Sequence, residues 1–181
     1  MVSHPFDIAI FNFFHSSTCT MDIFAKTALF ISNNSMYLWF LFLLIIAVIK
    51  KQYYPLLLSI AGFYIAWHVG DDILKPHFDR MRPPLELHSC VIGEMPTSSS
   101  FPSGHTLTSF ALFTLIYLYN RSNLFIWIPA LLFAFFNGYL RIYLGVHFPT
   151  DILGGILAGS LLGSIWYFST EFARKKYNEK A

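Results

Sequence analysis

The chain has 181 residues, of which 55% are hydrophobic, 19% aromatic and only 12% charged, with a mean hydropathy of +0.53. That is too little polar surface to clothe a water-soluble globule, and it predicts an all-α, polytopic membrane helical bundle forming one domain over residues 1–181. The formal charge of +2, with basic residues scattered or set at the edges of apolar runs, excludes nucleic acid as an expected partner.

In chain order, the N-terminus has no Lys or Arg ahead of its apolar stretch and no small-residue cleavage site, so a removable signal peptide is not expected. Asp7 to Phe14 reads as an amphipathic helix lying in the membrane interface. Six apolar runs follow as expected transmembrane helices. The first, about Met21 to Ile31, is short and carries Lys26; it is either tilted or begins earlier, near Phe14. The second is Met36 to Ile49, ending at Lys50-Lys51, and the third is Tyr54 to Leu74. A loop over 76–101 contains Pro83, Pro84, Pro96 and the tract Ser98-Ser99-Ser100, all unfavourable to a spanning helix. The remaining runs are Ser103 to Tyr119, Leu124 to Val146, and Pro149 to about Phe168.

With six spans, Lys50, Lys51, Arg121 and the tail residues Arg174, Lys175, Lys176 and Lys180 share one side, which the positive-inside rule makes cytoplasmic, with the C-terminus there. Lys75, Arg80, Arg82 and Arg141 then lie on the outer side against that trend, and binding an anion gives a reason for them. The same topology puts Cys19 and Cys90 near opposite faces, so both are expected to be free thiols.

Three polar stretches carry the chemistry. In KPHFDRMRPP, Lys75 and Arg82 offer a point charge and a planar fork for phosphate oxygens, and Pro83-Pro84 stiffens the chain after the fork. In FPSGH, Ser103 can cap the fourth run and Gly104 lets an anion approach backbone N–H groups at a helix start, with His105 in the first turn. In RIYLGVHFPTD, Pro149 suits a helix start, and the four-residue step from His147 to Asp151 allows the carboxylate to fix the imidazole tautomer, leaving the other nitrogen nucleophilic. Arg141 ends the fifth run within reach of the same anion. A metal reading of His68, Asp71, Asp72 and His77 is less economical than pairing of Asp71 and Asp72, four and three residues before Lys75, with that lysine or with solvent at the helix end. Phe133, Phe135 and Phe136 read as packing or lipid-facing groups.

These stretches resemble the three signature motifs of the type 2 phosphatidic acid phosphatase superfamily, Lys-x6-Arg-Pro, Pro-Ser-Gly-His and Ser-Arg-x5-His-x3-Asp. Lys75, Arg82 and Pro83 match the first, Pro102 to His105 the second, and Arg141, His147 and Asp151 the third. Leu140 departs from the pattern, standing where the family usually has serine. The resemblance implies a bacterial lipid phosphatase of the inner membrane, active at its outer face, with no cofactor and no metal. His147 would form a phosphohistidine, Asp151 would orient it, and His105 would protonate the leaving oxygen and then activate water. Lys75, Arg82, Ser103, Gly104 and Arg141 would hold the phosphoryl oxygens. The implied partners are the bilayer and a membrane lipid phosphate: undecaprenyl pyrophosphate, phosphatidylglycerophosphate, phosphatidic acid or the 1-phosphate of lipid A. A lipid phosphotransferase is the nearest alternative, and a non-enzymatic transporter or a haloperoxidase a remote one. The sequence leaves the oligomeric state open.

Overall fold

The computed structural model describes residues 4–15 and 19–179, and every regular element among them is helical. In order these are α1 (Pro5–Phe14), α2 (Ile23–Asn33), α3 (Ser35–Lys50), α4 (Tyr53–His68), a π-helical segment (Val69–Leu74), α5 (Lys75–Phe78), α6 (Pro83–Leu87), α7 (Gly104–Asn120), α8 (Leu124–Tyr143) and α9 (Pro149–Asn178). Of the sequence expectations, Lys180 and any start of the first run within 16–18 lie outside the described residues.

The central element is α7, which is buried on nearly every face; Leu107, Ala111, Leu112 and Leu115 are each at most 1% exposed. It packs against α4, α8 and α9. On α9, Gly155, Gly159 and Gly163 meet the backbone carbonyls of Ser103, Leu107 and Ala111, so the two helices touch backbone to backbone along three turns. Small residues at a helix interface permit such close approach in a membrane setting. Trp39, Phe63, Phe110 and Ala134 form the largest apolar cluster, and Trp39 Nε1 donates to Ser109 Oγ at 3.0 Å, satisfying the indole. Leu57, Leu132, Leu157 and Leu161 turn outward and are each more than 60% exposed, as a lipid-facing surface requires.

Six independent spans are not resolved in this architecture. Two helices, α8 and α9, are each long and apolar enough to cross a membrane, or three spans if α2 and α3 are taken as one bent unit. The expected first span is the eleven-residue α2, roughly 16 Å long and therefore short of the hydrocarbon core. It meets α3 at 64°. Its Ala25 and Ala28 pack on Ile92, Leu140 and Leu144, at the C-terminal end of α8. A helix expected at Asp7 to Phe14 is present as α1, with Asp7 and Phe11 buried and Phe6 and Phe13 exposed; it rests on the end of α8 and the start of α9.

The expectation of two free thiols fails. Cys19 and Cys90 form a disulfide, with Cα atoms 6.1 Å apart. The expectation assumed that the first apolar run carries the chain across the membrane between them. Because α1 and α2 both sit at the end of the bundle that holds residues 88–100, the two cysteines are neighbours. His15 lies against the bridge, its Nε2 within 3.9 Å of both sulfurs and its Nδ1 3.0 Å from the Tyr143 carbonyl.

Candidate active site

Four helix ends meet at one end of the bundle: the exit of α4 through the π segment into α5, the start of α7, the end of α8 and the start of α9. All eight residues singled out in the sequence sit on or beside these ends.

The third polar stretch builds the centre. Pro149 opens α9 and Asp151 occupies its first turn, where its Oδ2 accepts the Phe148 N–H at 2.8 Å. His147 is 2% exposed, and its Nδ1 lies 3.4 Å from Asp151 Oδ2. On the other side of the ring, Nε2 is 3.1 Å from Arg82 NH1. A guanidinium can only donate, so Nε2 presents its lone pair and the ring proton belongs on Nδ1, facing Asp151. Burial lowers the His147 pKa to about 3, Asp151 opposing the shift and the charges of Arg82 and Arg141 adding to it. The imidazole is thus a neutral base at physiological pH with its lone pair directed at a cation.

Arg82 is 2% exposed and held on several sides. Its NH1 donates to the Val146 carbonyl at 2.8 Å, Nε to the Ser98 carbonyl at 2.8 Å, and NH2 to the Ser99 carbonyl at 3.2 Å. Burial brings its pKa down to about 10, with Asp151 and Asp71 pulling the other way, so it stays charged. Lys75 pairs with Asp71 one turn earlier and donates to Ser98 Oγ at 3.3 Å. Asp72 is instead bonded to His68 at 2.6 Å, so of the two carboxylates expected to pair with Lys75 or solvent only Asp71 meets the lysine.

At the start of α7, Ser103 is the N-cap residue, but its hydroxyl accepts from Thr106 Oγ1 at 3.1 Å rather than capping a backbone N–H. A Cβ at Gly104 would lie 3.4 Å from Lys75 Nζ, so the lysine ammonium is held against the helix start. Arg141, at the end of α8, donates to Ser32 Oγ at 2.7 Å, while its buried Nε has no partner among the described residues. A buried guanidinium N–H without an acceptor carries a desolvation cost that an anion would relieve. Arg141 and His105 line a cavity of about 400 Å³ bordered by Asn33, Glu94, Met95 and Pro96. His105 also lines a second cavity of about 300 Å³, whose walls include Met36, Trp39, Phe63 and Trp67.

Several residues here were not singled out as site residues from the sequence. Ser100 donates to Asp151 Oδ2 at 2.6 Å and lies 3.5 Å from His147 Nδ1. Arg80 donates to Asp151 Oδ1, and Ser98 and Ser99 hold Arg82 and Lys75. Ser32 holds Arg141 from α2. The only signal for these in the sequence was a third cation beside Arg82 and a run of serines in a proline-rich loop, neither of which specifies a partner. Leu140, the departure from the family pattern, is fully buried in the cluster with Ala25 and Ile92, where a hydroxyl would have to find an acceptor.

The described site is a buried neutral imidazole ringed by cations at the mouth of an all-helical bundle. The model of the PAP2 superfamily matches residues 52–175, which is more than half of the chain, and the chain belongs to that superfamily. It is 37% identical over 105 residues to a lipid A 4'-phosphatase of Bacteroides thetaiotaomicron, covering 54% of this chain and 46% of the relative. It is 30% identical over 126 residues to an undecaprenyl-diphosphatase of Sulfolobus acidocaldarius, covering 68% and 59%. The chain spans about half the length of the curated relatives it matches. Among solved structures, Aquifex aeolicus LpxE superposes with a TM-score of 0.70 at 29% identity, over 92% of this chain and 99% of that one. A Bacillus subtilis transmembrane PAP2 type phosphatidylglycerolphosphate phosphatase superposes with a TM-score of 0.69 at 24% identity, over 91% and 84%, and shares the fold.

Proposed function

We propose that this chain hydrolyses a lipid phosphate or diphosphate at the outer face of the inner membrane through a phosphohistidine on His147. The observation that carries the reading is the lone pair of His147 Nε2, buried, neutral and 3.1 Å from Arg82 NH1, in a site whose cations come from two separate stretches of the chain. In the first step Nε2 attacks phosphorus, the P–O bond to the lipid breaks, and His105 delivers its proton to the departing oxygen. In the second, His105 takes a proton from water, the resulting hydroxide attacks phosphorus, the P–N bond breaks and phosphate leaves. Lys75, Arg82, Arg141, the Ser103 hydroxyl and the Gly104 N–H hold the three phosphoryl oxygens and stabilise the charge that develops on them. The cations fill the part that a metal plays in other phosphoryl transfer sites.

The cavity walled by Met36, Trp39, Phe63 and Trp67 opens at His105, so an apolar tail can lie in the bundle while its phosphate enters the cationic cleft. The relatives named above act on lipid A, phosphatidylglycerophosphate and undecaprenyl diphosphate, and these are the substrates to try. We take α3, the rod from α4 to α5, α7, α8 and α9 as the crossing elements, with α1 and α2 at the site end. That end carries the disulfide, which suits an oxidising outer compartment. Lys50, Lys51 and Arg121 lie at the other end, which suits the cytoplasm.

The test is phosphate release from a panel of these lipids in detergent. Wild-type activity that is unchanged by EDTA, and lost by at least about a thousandfold in His147→Ala, is the expected outcome. Full activity in that variant removes His147 as nucleophile, and loss of activity with EDTA removes the metal-free mechanism.

A further inference from the structure

Arg80 falls on a variable position of the first motif, yet it is 8% exposed and its guanidinium joins three segments. NH1 donates to Asp151 Oδ1 at 2.6 Å and to Thr150 Oγ1 at 2.6 Å, and NH2 donates to Asp7 Oδ2 at 2.7 Å. The plane stacks 4.7 Å over the Phe148 ring. Its backbone is fixed as well, with its N–H donating to Ser99 Oγ at 2.9 Å and its carbonyl accepting the Ser100 N–H at 2.8 Å.

Asp7 is the other half of the device. It is 1% exposed, on the inner face of α1, and it accepts from the Thr150 N–H at 2.9 Å and from Thr150 Oγ1 at 2.6 Å. It therefore caps the first turn of α9 from a different helix, supplying the carboxylate that a helix N-terminus favours. Asp151 sits in that same turn. With Oδ1 occupied by Arg80 and Oδ2 shared by Ser100 and the Phe148 N–H, the carboxylate has one rotamer and one face left toward His147 Nδ1.

We propose that Arg80 and Asp7 form a buried charge pair that positions Asp151 against His147, which makes the interfacial helix α1 a working part of the phosphoryl-transfer site. This rests on the role given to His147 above. The charged and titratable groups that face Asp151 are Arg80 and Arg82 from the α5–α6 connection, His147 from the α8–α9 connection, and Asp7 from α1 through Arg80. Exposed Phe6 and Phe13 on the outer face of α1 would set this pair at the depth of the lipid headgroups. An N-terminal helix that only anchored the protein would have no need of a buried carboxylate reaching the first turn of α9.

The experiment compares wild type, Arg80→Gln, Arg80→Lys, Asp7→Asn and His147→Ala in phosphate release across pH, with thermal stability in detergent as the folding control. In parallel, the ring of His147 is titrated by 15N NMR in wild type, Arg80→Gln and Asp7→Asn. Misplacing the carboxylate is expected to lower kcat in Arg80→Gln and Asp7→Asn by roughly ten- to a hundredfold with little change in KM. Removing the cation in Arg80→Gln lets the His147–Asp151 pair take up a proton more easily, so the acidic limb of the profile and the NMR midpoint move up by about one unit. Asp7→Asn leaves the cation uncompensated and moves both downward, while Arg80→Lys keeps them near wild type. Activity losses that only track thermal stability, with unshifted profiles and midpoints in both variants, overturn the proposal and leave a structural tie. An active His147→Ala overturns the phosphohistidine reading instead, and the NMR midpoints still decide the role of Arg80.

Discussion

Burial governs the chemistry of His147, and it also makes the residue a liability in acid. The unfolded chain takes up a proton on this ring near the ordinary histidine value of 6.5, whereas the folded site resists until about 3. Between those values the unfolded state holds more protons, so stability falls as pH drops through that window. The melting temperature in detergent is expected to decline from about pH 6.5 toward about pH 4, and His147→Gln, which cannot titrate, should flatten part of that decline. An equally steep decline in the variant would place the acid sensitivity elsewhere. At this scale the sequence was informative where chemistry fixes spacing. His147 sits just before the start of α9 and Asp151 in its first turn, as the four-residue step suggested, although the 3.4 Å separation is looser than a direct hydrogen bond. Ser100 and Arg80 were opaque because their partner, Asp151, is 51 and 71 residues away in sequence.

Among the helices, the run read as one span from Tyr54 to Leu74 changes character on the way. Residues Val69–Leu74 are π-helical, and the wider turn alters which side of the rod the following residues face. Inserting one residue into an α-helix rotates everything beyond it by about 100°, so the π segment sets where Lys75 points. No apolar periodicity reports this, because the hydrophobic content of the run is the same either way. The α7–α9 contact is another feature that composition conceals. Gly155, Gly159 and Gly163 recur every four residues, but only the structure shows the α7 carbonyls pressed against them. Gly159→Ala would drive a methyl group into the Leu107 carbonyl and force the helices apart at backbone level. It is expected to destabilise the protein by about 1–3 kcal/mol, measured as a lower melting temperature, with a smaller effect for alanine at the outward-facing Leu161.

At the scale of the whole molecule, the membrane class, the all-helical architecture and the grouping of three polar stretches at one end could be read from hydropathy and breakers. The count of spans could not. A run such as Met21 to Ile31 has the composition of a membrane helix but not its length, and composition alone does not say whether such a segment crosses, bends or lies flat. Treating it as a crossing carried the error on to Cys19 and Cys90.

The bridge between those two cysteines closes a covalent ring over 71 residues of sequence, and that ring passes through α3 and α4, down one side of the bundle and back up the other. The turn at Lys50-Lys51 is its far point, at the opposite end from the site. A single cut there opens the polypeptide without separating its parts. With a site-specific protease sequence inserted between Lys51 and Gln52, the cleaved protein should run as one species without reductant and as two with it. Two fragments before reduction would mean that the ring is open in the isolated protein. While it is closed, the segments bearing Asp7 and Asn33 on one side of the cut and Lys75, Arg80 and Arg82 on the other stay joined at the site end itself.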